Sequence, residues 1–168
     1  VMSAAKGVGL WWFDFFGGYY DSPGLMKAVS GMVDIRKRLK DVQMYSISQV
    51  AVFGDTESMY YVSENAEINT DCLRNIRNDL NKLGAPYDIF TFNDITDPSL
   101  DLDQYKLIIF LNVFHVADDK KEFIRNVVKS RNRLILWIYA PGYVHKNGLS
   151  AEGISKLTEI SVKRLECS

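Results

Sequence analysis

Polar and aromatic side chains follow several apolar segments that have the pattern of buried β-strands. They are Asp55, Glu57, Asn112, His115 and Tyr139, which end or follow segments 49–53, 107–111 and 134–139. In an open parallel sheet the carboxyl ends of the strands share one edge, and ligands bind in the crevice beyond it. We therefore take these residues as the candidates for lining a crevice.

A hydrolase or amidotransferase built on such a sheet needs a cysteine or serine on the sharp turn after a central strand, with a histidine nearby. The most apolar strand is instead followed by Asn112-Val113-Phe114, which offers no nucleophile. Cys72 falls inside a predicted helix, where a small buried thiol is the better interpretation, and Cys167 lies at the end of the sequence. We interpret His115 as a surface or capping residue. No catalytic residue is assigned.

Asp55 and Glu57 also provide two carboxylates, the groups that glycosidic cleavage requires. Both lie on one exposed loop, and we interpret that loop as a solvated turn that also caps a helix or a chain bend. Its acidic side chains repel phosphate, and the sequence has neither a GxGxxG nor a GxxxxGK[ST] motif, which argues against a flavin or nucleotide. The two distant cysteines have no metal-binding or redox spacing. We therefore predict no cofactor and no metal site.

The net charge and the apolar runs of the chain limit the classes of partner that it can have. The chain has 168 residues and a formal net charge of −1, which argues against nucleic acid or an anionic membrane as a partner. Its longest apolar runs are too short to span a bilayer. Residues 1–6 lack the pattern of a signal peptide. We expect a piece of a longer protein, whose compartment the sequence leaves unknown.

Strand-like and helix-like segments alternate along most of the chain. Asp21-Ser22-Pro23 is typical of a helix start, and the helix should run over 23–40. Gly84 should end a helix that begins near residue 70, and Ser150 should cap the last helix. Asp119 and Glu122 resemble a capping box, whereas 93–104 reads as a loop. Strands are predicted over 49–53, 87–92, 107–111 and 134–139. Continuous apolar strands between amphipathic helices indicate a mainly parallel sheet in a three-layer α/β sandwich, flavodoxin-like or class I glutamine amidotransferase-like.

An aromatic segment, 8–16, stands apart from this series because a long helix separates it from the other strands. It reads as the last strand of a different domain. Trp12 and Asp14 point the same way on such a strand, and at the carboxyl end of a barrel strand they would touch a substrate, with indole faces suited to sugars. The alternative is that the tryptophans form an interdomain core. We predict a barrel-strand remnant over 1–20, a connecting helix over 21–47 and an α/β domain over 48–168.

Several segments carry a resemblance to a known family. They are Leu10-Trp11-Trp12-Phe13-Asp14, Gly17-Gly18-Tyr19-Tyr20-Asp21-Ser22-Pro23, Val52-Phe53-Gly54-Asp55-Thr56-Glu57-Ser58, Gly84-Ala85-Pro86-Tyr87-Asp88, Tyr105-Lys106-Leu107 and Leu136-Trp137-Ile138-Tyr139-Ala140-Pro141-Gly142-Tyr143. Together they resemble the end of the catalytic barrel and the following amidotransferase-like trimerisation domain of β-galactosidase-type glycoside hydrolases, family forty-two and its relatives.

The resemblance implies a non-catalytic structural and oligomerisation domain of a carbohydrate-metabolising exo-glycosidase. The family's two catalytic glutamates lie in the barrel, upstream of Val1, so none is carried over, and Trp12 would lie near the sugar. The implied partners are the barrel of the same parent chain, further copies in a trimer or dimer, and carbohydrate through the parent. The alternative is a free-standing small-molecule-binding or amidotransferase-like domain that uses the crevice at Asp55, Asn112 and Tyr139; a third possibility is a small hydrolase.

Overall fold

A computed structural model describes residues 13, 17, 19–43, 45–129 and 132–165. The chain divides into two compact units, Val1–Ser46 and Ile47–Ser168. Within the described residues, no helix is both long enough and apolar enough to cross a bilayer. The predicted division of the first 47 residues into a barrel remnant and a connecting helix stays a prediction.

The first unit contains a 3-10 turn, Tyr19–Asp21, and helix α1, Pro23–Leu39. Ser22 is the N-cap, as predicted, and its Oγ accepts a hydrogen bond from the Leu25 N–H at 3.5 Å. Pro23 occupies the first helical position, where its missing N–H costs nothing. No residue of α1 is buried.

The second unit is an α/β domain. Its strands are β1 Val50–Gly54, β2 Asp88–Thr91, β3 Leu107–Phe110 and β4 Leu134–Trp137, with a hairpin of β5 Val144–His145 and β6 Gly148–Leu149. Its helices are α2 Ile76–Lys82, α3 Asp118–Phe123 and α4 Ala151–Thr158; π-helical turns at Thr70–Asn75 and Ile124–Val128 adjoin α2 and α3, and 3-10 turns lie at Ser58–Tyr61 and Phe92–Thr96.

The main sheet has four strands in the order β2-β1-β3-β4, and every pairing is parallel. This order places β1 and β3 side by side in the centre, with the chain leaving them in opposite directions across the sheet. The predicted three-layer, flavodoxin-like sandwich is therefore confirmed. The carboxyl ends of β1 and β3 form its topological switch point, where ligands bind in folds of this type.

Apolar side chains cover both faces of the central strands, as the uninterrupted apolar runs predict. One face packs Phe53, Ile108 and Phe110 against Ile124 and Val128 of the π-helical turn after α3. The other packs three buried residues against the α2 region; they are Val52, Ile109 and Leu111, with Leu73, Ile76 and Leu80 opposite. Phe110 also stacks on Trp137 at a centroid distance of 4.3 Å, which ties β3 to the edge strand β4.

Several predicted details are wrong. In the segment 93–104, predicted as a loop, residues 93–96 belong instead to the 3-10 turn Phe92–Thr96, which buries Phe92 and Ile95, while 97–104 contain neither helix nor strand. The capping box is absent because α3 begins after Ala117, and no side chain caps that end. Ser150 is the N-cap of α4 but makes no side-chain capping bond. Gly84 does end the α2 region with a φ of +71°, as predicted.

Candidate functional site

The switch point is filled by two polar side chains that bond across it. Asp55 follows β1 and Asn112 follows β3, and these side chains are 2% and 0% exposed. The Asn112 Oδ1 accepts from the Asp55 N–H at 2.7 Å, and the Asn112 Nδ2 donates to the Asp55 carbonyl oxygen at 2.7 Å. The amide thus continues the connection between the two strands two residues beyond their last pair, Phe53 and Phe110. Its donor and its acceptor are both used inside the protein.

The carboxylate of Asp55 faces its own chain. Its Oδ1 accepts from the Glu57 N–H at 3.1 Å, and its Oδ2 accepts from the Ser58 N–H at 3.0 Å and from the Ser58 hydroxyl. These bonds satisfy free N–H groups at the start of the 3-10 turn Ser58–Tyr61, as an Asx-type cap does. The predicted capping of a turn is therefore confirmed for Asp55, but the predicted exposure is wrong, because its carboxylate is buried under the turn that it caps.

Ser58 ends the crevice segment 54–58, and the sequence interpretation gave it no role of its own. Its side chain is fully buried, and its Oγ accepts from the Phe114 N–H at 2.9 Å and from the His115 N–H at 3.0 Å while its hydroxyl donates to Asp55. The hydroxyl therefore links the loop after β1 to the loop after β3. The three-residue spacing between Asp55 and Ser58 was the available signal, since it is the spacing of a side-chain cap.

Asp55, Ser58 and His115 are the residue types of a catalytic triad, but their connections differ from those of a triad. In a triad the histidine ring accepts the serine proton. Here only the backbone N–H of His115 reaches Ser58, and its ring stacks on Tyr61 with centroids 5.0 Å apart. Both lone pairs of the buried Ser58 oxygen accept amide hydrogens. The arrangement holds two loops together and presents no nucleophile.

The remaining candidates lie at the rim. Glu57 is exposed, as predicted, and accepts a hydrogen bond from Asn93 Nδ2 at 3.2 Å. Tyr139 is 72% exposed with a φ of +63°, and its ring meets the edge of Phe114 at 5.9 Å. The structure thus brings Asp55, Asn112 and the His115 backbone together but leaves Glu57 and the Tyr139 hydroxyl outside the buried network.

The other chemical candidates fall in two groups. Trp12, Asp14 and Cys167 lie outside the described residues. Cys72 is 4% exposed in the π-helical turn before α2, and burial, aided by the neighbouring Asp71 carboxylate, raises the pKa of its thiol. It is the small buried thiol that the sequence indicates. Within the described part of the chain, no group of three or more His, Cys, Asp or Glu residues is placed to hold a metal ion.

Comparison with known proteins gives a likeness to a solved structure but none to a known sequence family. Neither a family model nor a curated protein sequence matches the chain. Among solved structures, β-galactosidase from Bifidobacterium adolescentis is similar with a TM-score of 0.49 and 14% sequence identity over 67% of this chain. The match covers 52% of that chain, about half of its length. A likeness at this level carries no argument about function, which we infer from the residues themselves.

Proposed function

We propose that this chain is a non-catalytic, assembly-mediating α/β domain of a glycoside hydrolase of the β-galactosidase type. The observation that carries the proposal is the occupied switch point. Asp55, Ser58 and Asn112 are buried and bonded to one another or to backbone, where a ligand site of this fold would be open. A reactive or ligand-binding group needs a donor or acceptor that is free to bond the ligand. The donors and acceptors of these three side chains already form hydrogen bonds that join the two loops.

The family resemblance in the sequence supports the same assignment. Two of the segments that carry it, 52–58 and 136–143, contain the residues that build the strand ends. In the second segment Gly142 donates its N–H to the Val113 carbonyl at 2.9 Å, and the following Val144 N–H bonds to the Phe114 carbonyl at 2.9 Å. The resembling residues are thus those that the fold uses to connect its loops, which suits a structural role.

An uncovered part of the sheet supports the assembly role. The α2 region covers the middle strands on one face, but on the same face Leu134 and Leu136 of the edge strand β4 are 74% and 46% exposed. Exposed aliphatic side chains on an edge strand favour contact with another protein surface. We assign this surface to a second copy of the chain, because an uncharged apolar strip is complementary to itself in a symmetric interface.

Sedimentation equilibrium tests this proposal. The chain is expected to form dimers or trimers as its concentration rises. The variant Leu136→Lys should stay monomeric because its ammonium group would be desolvated at the interface. The matched control is Leu83→Lys, since Leu83 is 73% exposed at the end of α2, and this variant should associate like the parent chain. A chain that is monomeric at every concentration, or equal effects of both substitutions, would contradict the assembly role. Stabilisation of the chain by a neutral sugar or an amino acid would favour the small-molecule-binding alternative.

A further inference from the structure

A concave site whose lining includes none of Asp55, Ser58 and Asn112 lies between the α3 region and α4. Its volume is about 300 Å³, at the lower end of the range for small-molecule sites. Cationic side chains dominate its lining; they are Lys121, Arg125, Lys129 and Lys156, together with His145 and one carboxylate, Asp118. A concave space lined by several cations attracts anions because field lines concentrate in a cleft with low-dielectric walls.

The helix geometry explains why three of the cations share one line. Lys121, Arg125 and Lys129 are spaced four residues apart, and Arg125 lies within the π-helical turn Ile124–Val128. Four residues slightly exceed one turn of α-helix, whereas they fall short of one turn of the wider π-helix. The two angular drifts oppose each other, so the cations stay on the same side of the helix. π-Helical turns within α-helices are frequent at functional sites.

Of the three carboxylates that pair with these lysines, Glu152 and Glu159 are not part of the cavity lining, whereas Asp118 lines the cavity but is itself almost fully exposed. Lys121, whose side chain is 27% exposed, pairs at 2.8 Å with Asp118, whose side chain is 96% exposed. Lys129, at 16% exposed, pairs at 3.0 Å with Glu159, at 67% exposed. Lys156 pairs with Glu152 at 2.8 Å, and both of those side chains are well exposed. Pairs with solvated carboxylates contribute little free energy. The sheltered ammonium groups therefore remain available to an anion inside.

Arg125 and His145 are not satisfied by the protein. Within the described residues, Arg125 is exposed and makes no hydrogen bond or ion pair to the protein, whereas the Nε2 of His145 is buried and has no hydrogen-bond partner. The His145 ring packs against Gly153, where any side chain would overlap with it. A buried unpaired ring nitrogen costs free energy until a partner arrives. A small rotation of the ring toward an anion in the cavity would remove that cost.

We propose that this cavity binds a small organic phosphate, a phosphate monoester of about monosaccharide size. Four cations against three carboxylates leave an excess of positive charge with histidine counted as neutral, and the excess lies with Arg125. A phosphate group carries two charges and several acceptor oxygens, which matches one guanidinium fork and several ammonium donors better than a single carboxylate does. The volume admits the phosphate and one sugar ring. This site is independent of the proposed assembly role.

Isothermal titration calorimetry at fixed ionic strength tests the site, with inorganic phosphate, glucose 6-phosphate and glucose as probes. Glucose 6-phosphate should bind and glucose should not. Arg125→Gln should weaken phosphate binding by about tenfold or more, the usual effect of losing a hydrogen bond to a charged group. The matched control is Arg77→Gln, an exposed arginine on α2 that carries the same charge change and should leave affinity within about twofold.

A second pair of variants keeps the proposal testable if Arg125→Gln folds poorly. Glu159→Gln removes the partner of Lys129 and should tighten phosphate binding, whereas Glu67→Gln, in an exposed turn, should not. Amide chemical-shift changes on adding glucose 6-phosphate should cluster at His145, Gly153 and Arg125. Absence of binding by either phosphate at millimolar concentration, or equal weakening by Arg125→Gln and Arg77→Gln, would overturn the proposal.

Discussion

Substitution of Asn112 by alanine is the sharpest test of the interpretation of the switch point. If this side chain exists to join β1 to β3, its removal must destabilise the fold. The Asn112 amide bonds both the N–H and the carbonyl of Asp55 at 2.7 Å, and its side chain is fully buried. Alanine would leave both backbone groups buried without partners, in a space that the surrounding loops close to water.

The magnitude follows from those two groups. Leaving a buried polar group unsatisfied costs about 1–3 kcal/mol, so the two Asp55 groups together cost about 2–6 kcal/mol. The total stability of a domain is only about 5–15 kcal/mol. We therefore expect Asn112→Ala to lose a large fraction of the free energy of unfolding, far more than an exposed substitution, which usually changes it by about 0.5 kcal/mol or less.

The assay must report on the α/β domain alone, because the chain has two compact units. Amide hydrogen exchange of β1 and β3 in increasing urea gives the free energy at which those strands open. The matched control is Asn78→Ala on α2, an exposed asparagine in a helix, where alanine removes no internal bond and improves helix propensity. The control should be neutral or slightly stabilising.

A free energy of unfolding for Asn112→Ala within about 0.5 kcal/mol of the parent domain, or above it, would show that Asn112 does not hold β1 to β3. Residues kept for binding or catalysis commonly cost stability, so their removal stabilises. A stabilising result would therefore point to a ligand site at the switch point and against a structural one.

Three further predictions follow from other parts of the domain. Gly153→Ala should destabilise the domain by about 1–3 kcal/mol, because the new Cβ would overlap with His145 and the Gly142 carbonyl oxygen. The gain of about 1 kcal/mol in helix propensity does not offset this cost. The control is Gly31→Ala in α1, where the new Cβ has no atom within 4 Å and should increase the helicity measured by circular dichroism. Burial, and to a lesser extent the hydrogen bond to Asp88, raises the pKa of Tyr105 from 10.0 to about 12. The contribution of the neutral phenol to the free energy of unfolding is therefore fully present below pH 10, and up to about 3 kcal/mol of it should be lost as the pH rises toward 12. Urea titrations across that range should show no such loss for Tyr105→Phe, and an unchanged pH dependence in this variant would contradict the prediction. Cys72 should react with a thiol reagent only after unfolding, because burial also raises the pKa of its thiol; rapid modification of the native chain would show that the α2 region opens.

The architecture was accessible from the sequence, and the physical reason is visible in its strands. The runs 49–53 and 107–111 are apolar throughout because both faces of β1 and β3 are covered. Each residue that marks a helix end meets a specific requirement of the backbone there. Ser22 supplies a side-chain acceptor for a free N–H, Pro23 supplies a fixed φ, and Gly84 adopts a positive φ. These are local signals that survive without tertiary information.

The details of the site were less accessible because they depend on contacts between distant segments. Asp55 is acidic and sits in a polar loop, which favours exposure, but the amide of Asn112 and the hydroxyl of Ser58 together bury it. The π-helical turn Ile124–Val128 is equally hidden, since inserting one residue into a helix barely alters the apolar periodicity. The pairing of Lys129 with Glu159 likewise requires the fold.

The most direct test of the account is turnover of a nitrophenyl β-galactoside by the purified 168-residue chain and by its Glu57→Gln variant. Glu57 is the exposed member of the acidic pair, so this substitution leaves the Asp55, Ser58 and Asn112 bonds in place. Because the domain is non-catalytic, we expect the hydrolysis rate with either protein to equal that of the buffer blank. Turnover by the parent chain that Glu57→Gln reduces, with unchanged stability, would contradict it.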